Sequence, residues 1–216
     1  MSLQPLVLFG AGGHAREVAQ IVRDINAIAP RWQLLGALVD AAYRPVGEGG
    51  SSLPILGDAG WLAEHSDVAV VVAIGESAAR RRIVLDLLAQ LAGLHFATLI
   101  HPRAWIAAGS EPGEGSVVFA GALVNVDVRI GAHVVVNLGG TISHDCRIGD
   151  FASLGPGVRL PGRVQVGEAA DLGAGCSARP RVRIGAGVVL GAGAVAVDDL
   201  PDGCVAAGVP ARPLGA

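Results

Sequence analysis

The sequence predicts two unlike halves: a Rossmann-like α/β domain over residues 1–100 and a parallel β-helix over 101–198, closed by a C-terminal tail at 199–216. Two patterns carry this expectation. An aliphatic residue recurs at every sixth position in the second half, and a glycine-rich loop joins an apolar run to an amphipathic stretch near the N-terminus. Composition agrees. With Gly at 32 residues, aromatics at 4% and hydrophobics at 51%, small aliphatics must build the core in thin, regular layers.

Stepping by six from Ile106 passes Pro112, Val118, Val124, Ile130, Val136, Ile142, Ile148, Leu154, Leu160, Val166, Leu172, Ala178, Ile184 and Leu190. Only Pro112 and Ala178 depart from Val, Ile or Leu. Glycine follows at 131, 149, 155, 167, 173, 185 and 191, and a longer period of 18 relates Ile130, Ile148, Val166 and Ile184. Neither a helical nor a strand period sustains this spacing. A triangular coil does: each six-residue unit is a short strand plus a corner, and three units close a turn with the aliphatic inward. The following glycines are expected to supply positive φ at the corners.

In the first half, Leu6–Phe9 reads as a buried strand. Gly10-Ala11-Gly12-Gly13-His14-Ala15 follows, then Val18, Ile21, Val22 and Ile25 at helical spacing. Gly10, Gly12 and Ala15 match the dinucleotide-loop pattern in its required strand-to-helix context, where backbone N–H groups and the helix terminus favour a phosphate. A second strand, 34–39, ends in Asp40, placed to meet a ribose hydroxyl; a third, 68–74, ends at Gly75. A helix over 77–94 and a fourth strand over 96–100 complete an alternating α/β unit. About half the length of a two-lobed dinucleotide fold is present, which suits a nucleotide-sugar better than NAD.

Net charge is −3 with no basic block, against nucleic-acid binding. All sixteen basic residues are Arg, which excludes a lysine nucleophile, a Schiff base and a P-loop. Cys146, Cys176 and Cys204 form no CxxC pair and fit a reducing compartment. Without a leader pattern or a membrane-length apolar run, a cytoplasmic protein with no membrane association is expected.

The repeat, the Ala73-Ile74-Gly75 strand end, the Gly-x-Gly-Gly-His loop and the closing Ala207-Gly208-Val209-Pro210-Ala211-Arg212 together resemble the hexapeptide-repeat acyltransferases. Within them, the chain is similar to the sialic acid O-acetyltransferase family, which includes N-acetyltransferases of UDP-4-amino sugars and GDP-perosamine. The resemblance runs from Leu6 to Arg212. It implies a left-handed β-helix, a homotrimer with sites between neighbouring helices, acetyl-CoA as cosubstrate, no metal, and a sugar or nucleotide-sugar acceptor in surface-glycan synthesis. It also implies His144 as general base with Asp145 raising its basicity. Gly12, Gly13, His14, Asp40, Gly75 and Asn137 would serve the acceptor. Gly173, Ala174, Gly191 and Ala192 would line the CoA arm. Ser153 stands where relatives often carry a histidine, two residues after Gly149-Asp150-Phe151, and is expected to reach the acyl donor. His133 is expected on a solvated corner, and His101 at the domain junction in a structural role.

Three other readings are open. A zinc enzyme would need three histidines, and the regular repeat holds only His133 and His144. A sugar-nucleotide pyrophosphorylase would need a longer, basic nucleotide domain. A non-catalytic nucleotide-sugar binder would keep the fold without turnover. Among enzymatic readings, O-acetylation of sialic acid is the alternative to N-acetylation of a nucleotide-linked amino sugar.

Overall fold

The computed structural model describes residues 2–40 and 53–214. The α/β region runs β1 (Gln4–Phe9), α1 (Gly13–Ile28), β2 (Trp32–Leu38), β3 (Ile55–Gly57), α2 (Ala59–Ala63), β4 (Ala69–Val72) and α3 (Ser77–Gln90). The parallel sheet has the order β3-β2-β1-β4. β1 is apolar on both faces because both are covered. Leu6 and Leu8 pack with Ala15, Val18 and Val22 of α1, while Val7 and Phe9 pack with Val84 and Leu87 of α3.

The segment expected as a fourth α/β strand divides instead. Phe96 bridges Val70 at the sheet edge, whereas Leu99–Ile100 pairs with Val117–Val118 and opens the β-helix. The chain thus passes from one sheet to the other within a few residues.

From there the strands up to Ala196 are two residues long and stack in parallel on three faces. Face one continues through Val117–Val118, Val135–Val136, Ser153–Leu154, Asp171–Leu172, Val189–Leu190 and Val205–Ala207, so the C-terminal tail extends it. Face two holds Trp105–Ile106, Leu123–Val124, Thr141–Ile142, Arg159–Leu160, Ser177–Ala178 and Val195–Ala196. Face three holds Arg129–Ile130, Arg147–Ile148, Gln165–Val166 and Arg183–Ile184. Equivalent residues pair 18 apart, as Thr141 with Arg159. The second residue of nearly every strand is the predicted inward aliphatic, fully buried in one continuous core. A second series lies two residues earlier, as at Ala122, Val128, Val134, Val158 and Val164. It also contains Cys146 and Cys176, which are therefore core thiols.

The glycines after the aliphatics do not make the corners. Positive φ falls three residues after each aliphatic instead, on glycines such as Gly121, Gly139 and Gly157, but also on Asp127, His133, Asp145, Phe151, Arg163, Ala169 and Arg181. The expected corner glycines serve stacking. A Cβ on Gly149 would stand 2.6 Å from Glu168 N, and one on Gly173 2.6 Å from Ala192 N, backbone of the next coil. At that approach there is no room for any side chain.

The α/β domain lies on face one, with α1 against Leu99, Val117, Phe119 and Val135. Arg80 fixes the contact. It is buried, and it donates to the carbonyls of Ile74, Gly75, His133, Phe151 and Ala152 and to Ser153 Oγ. Burial lowers its pKa to about 10, against the opposing charges of Asp171 and Glu76. His101 Nε2 lies 2.9 Å from Asp24 Oδ2, tying α1 to the first coil. No helix among the described residues is long and apolar enough to cross a membrane.

Candidate active site

At the carboxyl ends of β1, β2 and β4 opens a cavity of about 310 Å³, lined by Gly10, Gly12, Val39, Asp40, Glu76 and Arg82 among others. This is where ligands enter open α/β sheets. Gly10, with φ +121°, passes so close to Ala73 O that a Cβ would stand 2.9 Å from it. Gly12 is the N-cap of α1 and, being glycine, makes no side-chain cap hydrogen bond to the first N–H groups of the helix. The expected acceptor residues divide here. Gly12 and Asp40 line the cavity, whereas Gly13, His14 and Gly75 do not.

His14 turns toward the β-helix. Its ring centroid lies 5.5 Å from that of Phe119, and Nε2 is buried without a partner among the described residues. Burial, reinforced by the Arg80 charge, lowers its pKa to about 4, so the ring is neutral near pH 7. Gly75 packs against His14, with a notional Cβ 3.6 Å from its Cγ, and its carbonyl accepts from Ser153 Oγ at 2.7 Å.

His144 and Asp145 occupy the corner between faces two and three. The inward direction of Ile142 left His144 either inside or at a corner, and the corner is where it stands, with its side chain about half exposed (53%). Left-handed backbone at Asp145 (φ 61°) brings its carboxylate to His144: Nδ1 lies 2.9 Å from Asp145 Oδ2. A carboxylate only accepts, so Nδ1 carries the hydrogen and Nε2 is left as a bare acceptor. Asp145 is held below the usual carboxylate range by this bond first, and also by the charge of Arg163, whose Nε stands 3.4 Å from the same oxygen. The outcome is an imidazole with fixed tautomer and an exposed basic nitrogen.

Asn137, Gly173, Ala174, Gly191 and Ala192 lie on a different edge, between faces one and two. Asn137 Oδ1 accepts from Leu138 N at 2.7 Å, which leaves the amide NH2 as its donor. Ala174 and Ala192 are exposed and stand one coil apart, with Gly173 closely stacked between them. The width of face two therefore separates this edge from His144 within one chain. Ser153 is not on an open groove. It is 5% exposed, enclosed by Gly75 and Arg80 beneath the α/β domain, so its hydroxyl serves the domain contact rather than a donor channel.

His133 also differs from its expected solvated corner. The α/β domain covers it: the ring stacks on Phe151 at 5.2 Å and meets Phe96 edge-on at 4.7 Å. Burial lowers its pKa to about 4, despite the opposing charge of Glu114. Sequence reasoning also missed Arg80, Arg82 and Arg163. Arg80 is one of three consecutive arginines on an otherwise ordinary helix, and nothing in a single sequence marks which one turns inward. Among the described residues, no group of three or more His, Cys, Asp or Glu is placed to hold a metal ion.

The family described as PglD N-terminal domain matches residues 5–87. Among solved structures, the acetyltransferase domain of PglB from Neisseria gonorrhoeae FA1090, in complex with acetyl coenzyme A, is 33% identical. It superposes with a TM-score of 0.83 over 99% of this chain and 100% of that one. PerB from Caulobacter crescentus, in complex with CoA and GDP-perosamine, is 34% identical, with a TM-score of 0.84 over 99% of each chain. WeeI from Acinetobacter baumannii AYE is 26% identical, with a TM-score of 0.72 over 97% of this chain and 99% of that one. No curated protein sequence matches the chain.

Proposed function

This chain belongs to the sialic acid O-acetyltransferase-like family of hexapeptide-repeat sugar acyltransferases, and on that premise we propose that it transfers the acetyl group of acetyl-CoA to an amine of a nucleotide-linked sugar, with His144 as general base. The observation that carries the mechanism is the His144–Asp145 pair, with Nδ1 engaged at 2.9 Å and no partner for Nε2 among the described residues. End-to-end similarity to a protein that binds both CoA and GDP-perosamine supports the donor and the acceptor class.

The chemistry follows from that geometry. The acceptor amine attacks the thioester carbonyl, and as the C–N bond forms its proton passes to His144 Nε2. The tetrahedral intermediate collapses, the C–S bond breaks, and the sulfur leaves as CoA thiolate, which takes a proton back. Asp145 stabilises the imidazolium through Nδ1–H. Such proton transfer contributes on the order of 10²–10⁴ in rate. The cavity with Gly12 and Asp40 would hold the nucleotide, its phosphates meeting the uncapped start of α1.

One copy does not bring these groups together. The nucleotide domain covers face one, the small residues Ala174 and Ala192 follow the edge between faces one and two, and His144 stands across face two. We read the chain as a homotrimer in which the His144 edge of one copy lies along the Ala174 edge of the next. Face two supports this, because Trp105 (54%) and Leu123 (47%) are exposed there. Apolar surface at that position gains by meeting a second copy, and a head-to-tail contact closes into a ring. The substrates of the reaction and the three unpaired cysteines fit the cytoplasm, and the acceptor class fits surface-glycan synthesis.

CoA release from acetyl-CoA, wild type against His144→Ala, with a panel of amino-sugar nucleotides and free sugars, tests the reading. Release that depends on one acceptor and falls at least about 100-fold in the variant is expected. Near-normal turnover in His144→Ala would remove the mechanism, and binding of nucleotide-sugars without CoA release in the presence of any acceptor would remove the enzyme.

A further inference from the structure

Gly162 occupies the corner position one coil beyond His144. The same position carries Val126 in the preceding coil and Pro180 in the following one, so the corner itself does not demand glycine. Its backbone does not demand glycine either, since Gly162 lies outside the left-handed region. What a side chain would meet first is the histidine: a Cβ would stand 2.6 Å from both Cε1 and Nε2 of His144 and 3.2 Å from Cδ2. Gly115 offers the contrast. It too lies against a histidine ring, that of His133, but its φ of +70° already favours glycine.

The next residue holds the dyad from the same side. Arg163 N donates to His144 O at 3.0 Å, and Arg163 Nε stands 3.4 Å from the Asp145 oxygen that serves His144 Nδ1. The edge of the ring that bears the working nitrogen therefore lies over a residue without a side chain. The carboxylate behind the ring is anchored by the Arg163 cation.

We infer that Gly162 and Arg163 are positioning residues of the acyl-transfer site: Gly162 leaves the ring of His144 its place over the corner, and Arg163 holds Asp145 for it. This rests on His144 being the base. A methyl at 162 collides with a rotatable ring rather than with backbone, so the chain still folds while the ring swings away. A reacting atom misplaced by about 1 Å costs on the order of 100-fold.

The experiment is steady-state acetyl transfer and thermal unfolding of the full chain for wild type, Gly162→Ala, Arg163→Gln, Arg163→Lys and His144→Ala. Gly162→Ala is expected to keep its unfolding midpoint within about 2 °C. Its kcat should fall at least about 30-fold, with KM for both substrates within about threefold. Arg163→Gln should lower kcat by about three- to fivefold, with Arg163→Lys restoring most of it, the scale of an exposed ion pair. Turnover of Gly162→Ala within about twofold of wild type, while His144→Ala is inactive, overturns the inference and leaves the base standing. A loss in Gly162→Ala that travels with a lowered midpoint assigns the glycine to folding and overturns it as well. Full turnover in His144→Ala removes the base, and this inference with it.

Discussion

Arg80 Nη2 donates to Ser153 Oγ at 2.9 Å, and Ser153 Oγ in turn donates to Gly75 O at 2.7 Å. A side chain of the α/β domain and one of the β-helix thus share a buried relay that ends where β4 leads into the cavity of the α/β domain. Replacing Arg80 by Met removes a donor from five carbonyls in a place closed to water, and among the described residues only Gly75 O and Ala152 O keep another, from Ser153 Oγ and Val135 N. We expect Arg80→Met to lose about 3 kcal/mol or more of stability in urea unfolding. Ser153→Ala removes a neutral link and should cost about 1 kcal/mol, with KM for acetyl-CoA unchanged because the hydroxyl is enclosed. A several-fold rise in that KM would place Ser153 on the donor instead.

Glycines of the β-helix divide into two kinds that a stability measurement separates. Gly173 has ordinary φ but stands so close to Ala192 N that a Cβ would lie 2.6 Å away, and a backbone atom does not rotate aside. Gly139 has φ +63° with nothing within 4 Å of a notional Cβ. Gly139→Ala meets only the left-handed penalty, about 1–2 kcal/mol. Gly173→Ala must push adjacent coils apart and should cost clearly more, about 3 kcal/mol or above. Equal losses would mean that corner conformation, not coil spacing, governs both.

That division also marks how far the sequence was legible. Period six identified the β-helix and its inward aliphatics because burial leaves a direct trace in residue type. Glycine 131 and its equivalents were visible but misread: conformational freedom and absence of a side chain select the same residue, and only coordinates tell which is in use. His144 with Asp145 was legible as neighbours in one corner. Gly162 was not, because its reason lies 18 residues away in the stacked coil. His133 was read as solvated because its cover, Phe96 and the α/β domain, comes from distant sequence. A cavity at the carboxyl ends of the strands was legible from the strand–loop–helix context, but not the turning of His14 away from it.

Leu123 and Trp105 pair side by side on the outer side of face two, both exposed. If three copies meet there, Leu123→Asp places three carboxylates in an apolar contact, a cost of several kcal/mol per assembly. Sedimentation should show the wild type as a trimer and the variant as a monomer with the same circular dichroism. Acetyl transfer should fall at least about 100-fold, because each site loses its neighbour's edge. A trimeric, active variant would move the interface elsewhere.

His14 and His133 are both held near pKa 4 by burial, against 6.5 for the free side chain. Between these values the unfolded chain binds more protons than the folded one, so stability rises with pH across the window. The contribution is whole above about pH 6.5, declines as pH falls, and is gone below about pH 4. Carboxylates titrate in the same range, so wild type alone does not isolate the histidines. His133→Asn does, since asparagine tolerates the left-handed backbone there (φ 55°) and carries no titrating group. Urea unfolding at fixed protein concentration, from about pH 7 to pH 4.5, should show a shallower fall for the variant than for wild type, whatever its absolute stability. Parallel curves would mean that His133 binds its proton as readily in the folded chain as in the unfolded one, and that its cover does not disfavour the charged ring.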